Sequence, residues 1–182
     1  MEPVRYALAA LAALTLGACF PFPPEADTAD ALGPEADGVE QGPLHRPGQP
    51  CLVCHGEDYT RGGVVFALAG TIYREAPDRT GERDASVVMT DADGREFTAR
   101  TNAAGTFFVE VDTALSAPQQ REEGRLDIDF DPTFPITVEV ARGDAPARHM
   151  RSAIYREGSC SACHLADVDE TSAGRVVLEG DP

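Results

Sequence analysis

The fold is decided by residues 85–100, ASVVMTDADGREFTAR, in which two apolar runs stand on either side of a short turn. Valine, threonine and phenylalanine favour strands, and Asp-Gly between two such runs is a strong signal for a β-hairpin. We therefore predict one strand over residues 85–91 and a second over residues 95–100, joined by a turn at residues 91–94.

The same strand signal continues on both sides of this hairpin. Residues 65–74 form a further β-rich run, and three more segments carry apolar residues at every second position. These apolar residues are Phe107, Val109 and Val111, then Leu126, Ile128 and Phe130, and finally Ile136, Val138 and Val140. A period of two predicts strands with one buried face and one wet face. Asp127, Asp129 and Asp131 resemble part of a calcium loop, but their alternation with apolar residues favours a solvated strand face.

These segments together predict a mainly β protein. Five or six short strands with turn signals between them are typical of an antiparallel β-sandwich. Three segments also resemble the carboxypeptidase regulatory-like domain: residues 70–73, GTIY; residues 85–91, ASVVMTD; and residues 101–107, TNAAGTF. That family is a transthyretin-like β-sandwich, and the resemblance covers residues 66–155. It implies a scaffold without catalytic residues of its own.

Two copies of a five-residue motif, C-x-x-C-H, stand outside the strand-rich region: residues 51–55, CLVCH, and residues 160–164, CSACH. In an exported protein this motif indicates covalent attachment of a c-type haem. Two thiols three positions apart can reach the two vinyl groups on one edge of the porphyrin, and the histidine that follows can lie under the iron. The motifs resemble those of multihaem c-type cytochromes, and together they use every cysteine except Cys19.

The resemblance implies two covalently bound c-type haems. Four cysteines would make the thioether bonds: Cys51, Cys54, Cys160 and Cys163. The proximal iron ligands would be His55 and His164. The two remaining histidines, His45 and His149, each lie shortly before a motif and would be the distal ligands. Met150 is a rival to His149, and the sequence leaves open which distal residue serves which haem.

Other interpretations of the cysteine pairs remain open. The pairs could form disulfides that tie the two ends of the sandwich together, or the four thiols could bind zinc. Neither explains why a histidine follows each pair, and zinc thiolates fit poorly with an oxidising compartment. A haem-based sensor, which would need one labile axial ligand, is a further alternative.

The N-terminus carries the pattern of an export signal. Residues 6–17 form an apolar run that is too short to span a bilayer but fits the hydrophobic part of a signal peptide. The run ends in LGAC at residues 16–19, which resembles the bacterial lipobox, so Cys19 would carry the lipid and become the mature N-terminus. An ordinary cleaved signal is the alternative. Phe20 follows the cysteine, and in the sorting rule that this resembles, the absence of aspartate there points to the outer membrane.

The sequence divides into five segments. We predict a lipoprotein signal peptide at residues 1–18, a disordered acidic, Pro-rich tether at 19–50, a first haem segment at 51–64, the β-sandwich at 65–156, and a second haem segment with the C-terminal tail at 157–182. The tether is assigned from its content of Pro, Gly, Ala and acidic residues, which bury too little apolar surface to offset the entropy of ordering.

The net charge of −16, from 31 acidic and 15 basic residues, limits the class of function. It excludes the basic surface that a usual nucleic-acid-binding protein needs, and it favours a basic redox partner. It also argues against electrostatic attraction to anionic lipids, so any contact with a membrane would be made by the predicted lipid on Cys19. The sequence has no nucleophile elbow, P-loop or dinucleotide fingerprint, and six-coordinate irons leave no position for a substrate. We therefore predict an electron-transfer lipoprotein of the cell envelope, facing the periplasm or the cell surface, rather than an enzyme. The alternative is a non-redox lipoprotein, closed by disulfides, that serves as a binding or structural module.

Overall fold

The computed structural model describes residues 24–35, 38–61, 63–75, 77–167 and 170–178. The predicted signal peptide and the predicted lipidation site, Cys19, lie outside these residues. Among the helices of the described residues, none is long and apolar enough to cross a membrane.

The described residues form mainly short strands. Two α-helices are α1 Pro24–Ala31 and α2 Leu52–His55. The strands are β1 Leu68–Tyr73, β2 Ser86–Thr90, β3 Glu96–Arg100, β4 Thr106–Val111, β5 Gln119–Gln120, β6 Arg125–Ile128, β7 Thr137–Ala141, β8 Arg148–His149 and β9 Val176–Val177. Two turns of 3₁₀ helix lie at Glu122–Gly124 and Cys160–Ala162. The expectation of a mainly β protein is confirmed.

The strands form two sheets. One has the order β5-β6-β4-β1-β9, and the other has the order β3-β2-β7-β8. Most neighbours are antiparallel, as the sequence predicts, but β1 pairs with β9 and β4 pairs with β6 in parallel. A parallel pair needs a connection of about a dozen residues or more, and residues 112–124 provide it between β4 and β6. The purely antiparallel arrangement is therefore corrected to a mixed one.

The hairpin of β2 and β3 forms where the sequence predicts it. Its two strands pair in antiparallel register along their whole length. In the turn, the Asp91 carboxylate accepts hydrogen bonds from the backbone N–H groups of Asp93 at 3.0 Å and Arg95 at 2.9 Å. Gly94 has a φ of 78°, a left-handed conformation that glycine adopts without strain. Local turn chemistry thus determines this hairpin.

Both sheets contribute to one hydrophobic core. Leu68, Phe107 and Ile128 of the first sheet are fully buried in the same cluster as Val87 and Met89 of the second. Because the buried residues of the two sheets form a single cluster, the sheets pack face to face. Each large side chain buried in this way stabilises the fold by about 1.5–3 kcal/mol.

Strand β1 is buried on both of its faces. All six of its residues are buried, whereas a strand of an antiparallel sheet usually keeps one face in water. On the side away from the core, Ala69 belongs to a second apolar cluster with Phe66 and Phe108. Cys51 and Leu52 pack against this cluster. Phe108 lies on β4, so the wet face predicted for β4 is covered at that point.

Asp127 is an exception to the predicted solvated face of β6. The residue is only 2% exposed. Its carboxylate accepts hydrogen bonds from Arg125 Nε at 2.7 Å and from Arg121 Nε at 2.8 Å. These bonds, with that from Arg125 the stronger, hold the pKa of Asp127 below its usual value. The expectation of solvation is wrong at this position because two arginines compensate the charge of the buried carboxylate.

Part of the predicted tether is folded against the sheets. Helix α1 lies beside α2. The backbone N–H of Gly48 donates to Thr71 Oγ1 at 2.8 Å, and Asn102 Nδ2 donates to the carbonyl oxygen of Pro43 at 2.7 Å. These contacts correct the expectation of disorder for residues 43–48. The segment has few apolar side chains, but its backbone is held by hydrogen bonds to buried polar groups of the sheets.

Replacing Asp127 by asparagine tests the buried ion pair. At neutral pH, Asp127→Asn should lower the free energy of unfolding by about 2 kcal/mol, because it removes the charged acceptor of two arginine hydrogen bonds. The folded-state pKa of Asp127 lies below the usual 3.8, so its contribution is complete above that value and is lost as the pH falls through the folded pKa. The difference between the two proteins in urea unfolding should therefore shrink below about pH 4.

Asp129→Asn is the matched control, because Asp129 lies two residues after Asp127 and is only half-buried. We expect little change in its unfolding free energy. An equal loss in both variants, or a loss in Asp127→Asn that does not vary with pH, would contradict the assignment of the ion pair.

Candidate functional site

Both C-x-x-C-H motifs lie against strand β1. The first motif covers the outer face of the strand, where Leu52 packs against the cluster that contains Ala69. The second follows the edge of β1 that faces away from β4: the Ala69 N–H donates to the Gly158 carbonyl at 3.0 Å, and Ser159 forms a β-bridge with Ala69. A Cβ atom at Gly158 would lie 3.1 Å from the Leu52 side chain. The fold thus brings together motifs that stand before and after the strand-rich region.

Gly70 in β1 makes room for the second motif. A Cβ atom at this position would lie 2.7 Å from the Cβ atom of Cys160 and 3.0 Å from its Sγ atom. Contacts that short do not occur between packed side chains. Glycine therefore allows the Cys160 thiol to lie directly against the strand.

The first motif forms one helical turn. Cys51 stands at the N-terminus of α2, and the His55 N–H donates to the Cys51 carbonyl at 3.0 Å. Residues three apart on a helix share a face, so the turn presents the Cys51 and Cys54 thiols on one side. His55 Nδ1 donates to the carbonyl oxygen of Val64 at 3.0 Å. This hydrogen bond orients the ring and leaves Nε2 available to bind a metal.

The second motif has the same local plan in a tighter turn. It begins with the 3₁₀ turn Cys160–Ala162, and the His164 N–H donates to the Cys160 carbonyl at 2.8 Å. His164 Nδ1 donates to the carbonyl oxygen of Gly174 at 2.6 Å. In both motifs, therefore, a backbone carbonyl orients the histidine and leaves Nε2 available to bind a metal.

A cavity of about 980 Å³ opens beside the first motif. His45 and His55 both line it, and their ring centroids lie 5.9 Å apart with an interplanar angle of 61°. With metal–imidazole bonds of about 2 Å, two imidazoles on opposite sides of one ion have centroids roughly 6 Å apart. Phe66 lies 4.6 Å from the His55 ring, centroid to centroid, and forms part of the apolar wall. The separation of the two histidines thus suits two ligands of one ion.

His149 and His164 both line a second cavity, of about 220 Å³, although the His149 side chain is 65% exposed. His149 lies on β8, His164 ends the second motif, and Met150 also lines this cavity. Most of the remaining walls are apolar residues of both sheets, so the cavity lies between the sheets. His149 Nδ1 lies 3.0 Å from the Glu139 carboxylate on the neighbouring β7, which orients the His149 ring.

The four motif cysteines are free thiols in this structure. Burial raises the pKa of Cys51 to about 12, and the nearby Cys160 adds to that effect. Burial also raises the pKa of Cys160 to about 12. Within the part of the chain that the structure describes, no three His, Cys, Asp or Glu side chains form a group that could hold a metal ion. Haem iron takes at most two ligands from the protein, so a pair of histidines is sufficient for it.

The first cavity is lined by equal numbers of positive and negative side chains. They are Arg46, Arg61, Arg121, Arg125, Glu35, Glu110, Glu122 and Glu123. Arg125 Nε lies 3.4 Å from the Glu110 carboxylate, but burial still raises the pKa of Glu110. Burial also lowers the pKa of His55. The neutral imidazole, which is the form that binds metals, is therefore favoured at His55.

Asn102 supports the first cavity and was not found by sequence reasoning. Its Nδ2 group donates to the carbonyl oxygens of Pro43 at 2.7 Å and Glu123 at 3.0 Å, and both of these residues line the cavity. Its Oδ1 atom accepts hydrogen bonds from two backbone N–H groups of its own turn. The sequence signals this turn, because Asn102 stands three residues before Gly105. It does not signal the contacts of Asn102 with Pro43 and Glu123. Those contacts hold the loop that carries His45.

The predicted iron ligands fall into two pairs in the fold. His45 lines a cavity with His55, and His149 lines another with His164, while Met150 stays beside His149 as a rival. Comparisons with protein-family models, with curated proteins and with solved structures found no match. The interpretation of these two cavities therefore rests on their own geometry.

Asn102→Asp separates the two roles of the Asn102 side chain. The variant keeps an oxygen that can accept hydrogen bonds in the turn, but it loses the N–H groups that hold the carbonyls of Pro43 and Glu123. We expect hydrogen exchange of the amides in residues 43–48 to accelerate roughly tenfold, because local opening becomes easier. Exchange in β2 serves as the internal control and should not change. Unaltered protection of residues 43–48 would show that Asn102 does not hold this loop.

Proposed function

We propose that this protein is a dihaem c-type cytochrome that transfers single electrons. One observation carries the proposal: each C-x-x-C-H histidine shares a cavity with one of the two other histidines of the chain. A protein that used its CxxC pairs only for disulfides would need no histidine at any of these places. Each haem would have thioether bonds to one pair of cysteines and axial bonds to one pair of histidines.

The first haem would be attached to Cys51 and Cys54, with His55 as proximal and His45 as distal ligand. The cavity of about 980 Å³ lies at the upper end of the usual range for cofactor sites, about 300–1,000 Å³. The separation of 5.9 Å between the two imidazole centroids supports ligation of one iron by both rings. Phe66 contributes an apolar wall, and the Val64 carbonyl holds His55 in orientation.

The second haem would be attached to Cys160 and Cys163, with His164 as proximal and His149 as distal ligand. Its cavity of about 220 Å³ is smaller than the usual cofactor site, so the haem would extend beyond it. The Glu139 carboxylate supports His149 as a ligand, because a carboxylate on Nδ1 orients the ring and makes Nε2 more basic. Met150, which lines the same cavity, is the rival ligand.

The contact of both motifs with β1 supports electron exchange between the two haems. A bound c-type haem supplies a one-electron couple at its iron. The two motifs lie against one buried strand, and a backbone carbonyl orients the histidine of each motif. With two protein ligands on each iron, no position would remain for a substrate, so we propose a carrier rather than an enzyme.

The location and scaffold are part of the same proposal. The LGAC sequence at residues 16–19 supports a lipid anchor on Cys19, and thus a place in the cell envelope at the outer membrane, facing the periplasm or the cell surface. The two sheets would serve as a carboxypeptidase regulatory-like scaffold, since the segments that resemble this family overlap β1, β2 and the connection into β4. The net charge of −16 supports a basic redox partner.

Absorption spectroscopy of protein made in a host with c-type cytochrome maturation tests the proposal. Dithionite reduction should give a sharp Soret band and split visible bands. Haem staining should survive denaturation, and pyridine haemochrome should give two haems per chain. A colourless protein without free thiols would overturn the cytochrome and leave the disulfide-closed, non-redox lipoprotein. The nearness of Cys51 and Cys160 is the observation that favours this second candidate.

Substitutions at His149 and Met150 identify the distal ligand of the second haem. His149→Ala should remove an axial ligand from one of the two haems, so about half of the low-spin signal should become high-spin. Met150→Leu is the matched control and should leave both haems low-spin in absorption and electron paramagnetic resonance spectra. The opposite pattern would assign the ligand to Met150. Low-spin spectra in both variants would place neither residue on the iron.

A further inference from the structure

A third cavity, of about 890 Å³, extends along both motifs. Its walls include Leu52 and Val53, which stand between the two cysteines of the first motif, and Ala162, which stands between those of the second. We call this cavity the intermotif groove. It is the place where a molecule outside the chain could contact both predicted attachment sites at once.

Part of the lining of the intermotif groove consists of exposed apolar side chains. Val65 is 40% exposed and Val111 is 38% exposed, and both line the groove with Leu52, Val53 and Phe134. Large apolar side chains grouped at a surface commonly mark an interaction site.

The lining of the intermotif groove is also strongly acidic. Five carboxylate residues line it, with one arginine, Arg156, among them: Glu25, Glu57, Asp58, Asp131 and Glu157. The cavity at the first motif is different, because its four arginines match its four glutamates. The unbalanced charge of the groove therefore distinguishes it from the predicted cofactor site.

We propose that the intermotif groove docks a basic one-electron carrier protein; this inference rests on the proposed function. An apolar centre with a charged rim is the usual anatomy of a protein interface, and opposite charges accelerate encounter and orient the partner. A second copy of this chain, with a net charge of −16, would be repelled, and so would an anionic lipid surface. A basic protein could contact the apolar residues of the groove and pair with its carboxylates.

The groove would place this partner beside both redox sites. Leu52, Val53 and Ala162 are each within two residues of a predicted thioether cysteine, so a partner that touches them touches the chain next to both haems. The exchange would transfer one electron: the reduced centre of the partner would be oxidised, and this chain would be reduced at one of its two predicted haem sites. No covalent bond forms or breaks in this step.

Binding of a basic probe protein to matched charge variants tests the inference. The probe is mitochondrial cytochrome c, a lysine-rich one-electron carrier, titrated calorimetrically at low salt into the full chain in detergent. The groove variant is Glu57→Gln, Asp58→Asn and Asp131→Asn, and the control variant is Glu75→Gln, Glu96→Gln and Asp144→Asn. All six residues are exposed, the control residues lie outside the groove, and both variants remove three negative charges.

We expect the groove variant to bind the probe about tenfold more weakly than the unaltered protein, and the control variant to bind within about twofold. A Val65→Ser and Val111→Ser variant should also bind more weakly, but with an unchanged dependence on salt, because it alters no charge. Equal weakening by the two charge variants would show that the probe binds a diffuse acidic surface, and it would overturn the inference that the groove is the docking site. Self-association that is lost in the valine variant would make a second copy the occupant, and would also overturn the inference.

Haem content, measured on the same samples, separates this inference from the proposed function. Two haems per chain together with equal binding by the two charge variants would overturn the groove and leave the cytochrome in place. A chain without haem that still loses binding only in the groove variant would overturn the cytochrome, and would leave the groove as a docking site for basic proteins without electron transfer.

Discussion

Strand β1 is buried on both faces, and this double burial joins the core between the sheets to the two motifs. Leu68 and Ile72 belong to the core between the sheets, while Ala69 faces the cluster on the outer side. Ala69 and Gly70 are small, so two other segments can approach the strand closely, and Gly70 lets Cys160 lie directly against it. Larger residues here would push both motifs away from β1, and the two predicted attachment sites would no longer share one rigid support.

The two cavities that the histidine pairs line differ in their surroundings, and these differences follow from the layers in which the cavities lie. The cavity of His45 and His55 lies on the outer face of a sheet, where charged residues can remain hydrated. Four arginines and four glutamates line it. The cavity of His149 and His164 lies between the sheets and is mainly apolar. Burial and neighbouring charge set the potential of a bound redox group. If the chain binds two haems as proposed, the charged lining of one cavity and the apolar lining of the other would give the haems different reduction potentials.

Much of the fold could be predicted because its signals are local. The turn of the β2–β3 hairpin is formed by neighbouring residues that include Asp91 and Gly94, and the alternating apolar residues mark the other long strands. Asp127 was assigned to the wrong environment because alternation reports polarity and does not show that Arg121 and Arg125 would compensate a buried carboxylate. The parallel pairs and the folded part of the tether were missed for a similar reason, since both depend on contacts between distant segments.

The chemistry that each motif can offer follows from local sequence, because the spacing of two thiols and one imidazole within five residues is a local property of the chain. The sequence also supplies two histidines outside the motifs, His45 and His149, that could serve as further ligands. Which of the two other histidines lines the same cavity as each motif histidine depends on the packing of the folded chain. His45 reaches its cavity on a loop that Asn102 holds through Pro43, and His149 reaches the other on a strand beside Glu139. The contact of Asn102 with Pro43 joins residues 59 positions apart, and the second cavity combines residues of β1, β7 and the second motif, so no local pattern specifies either arrangement.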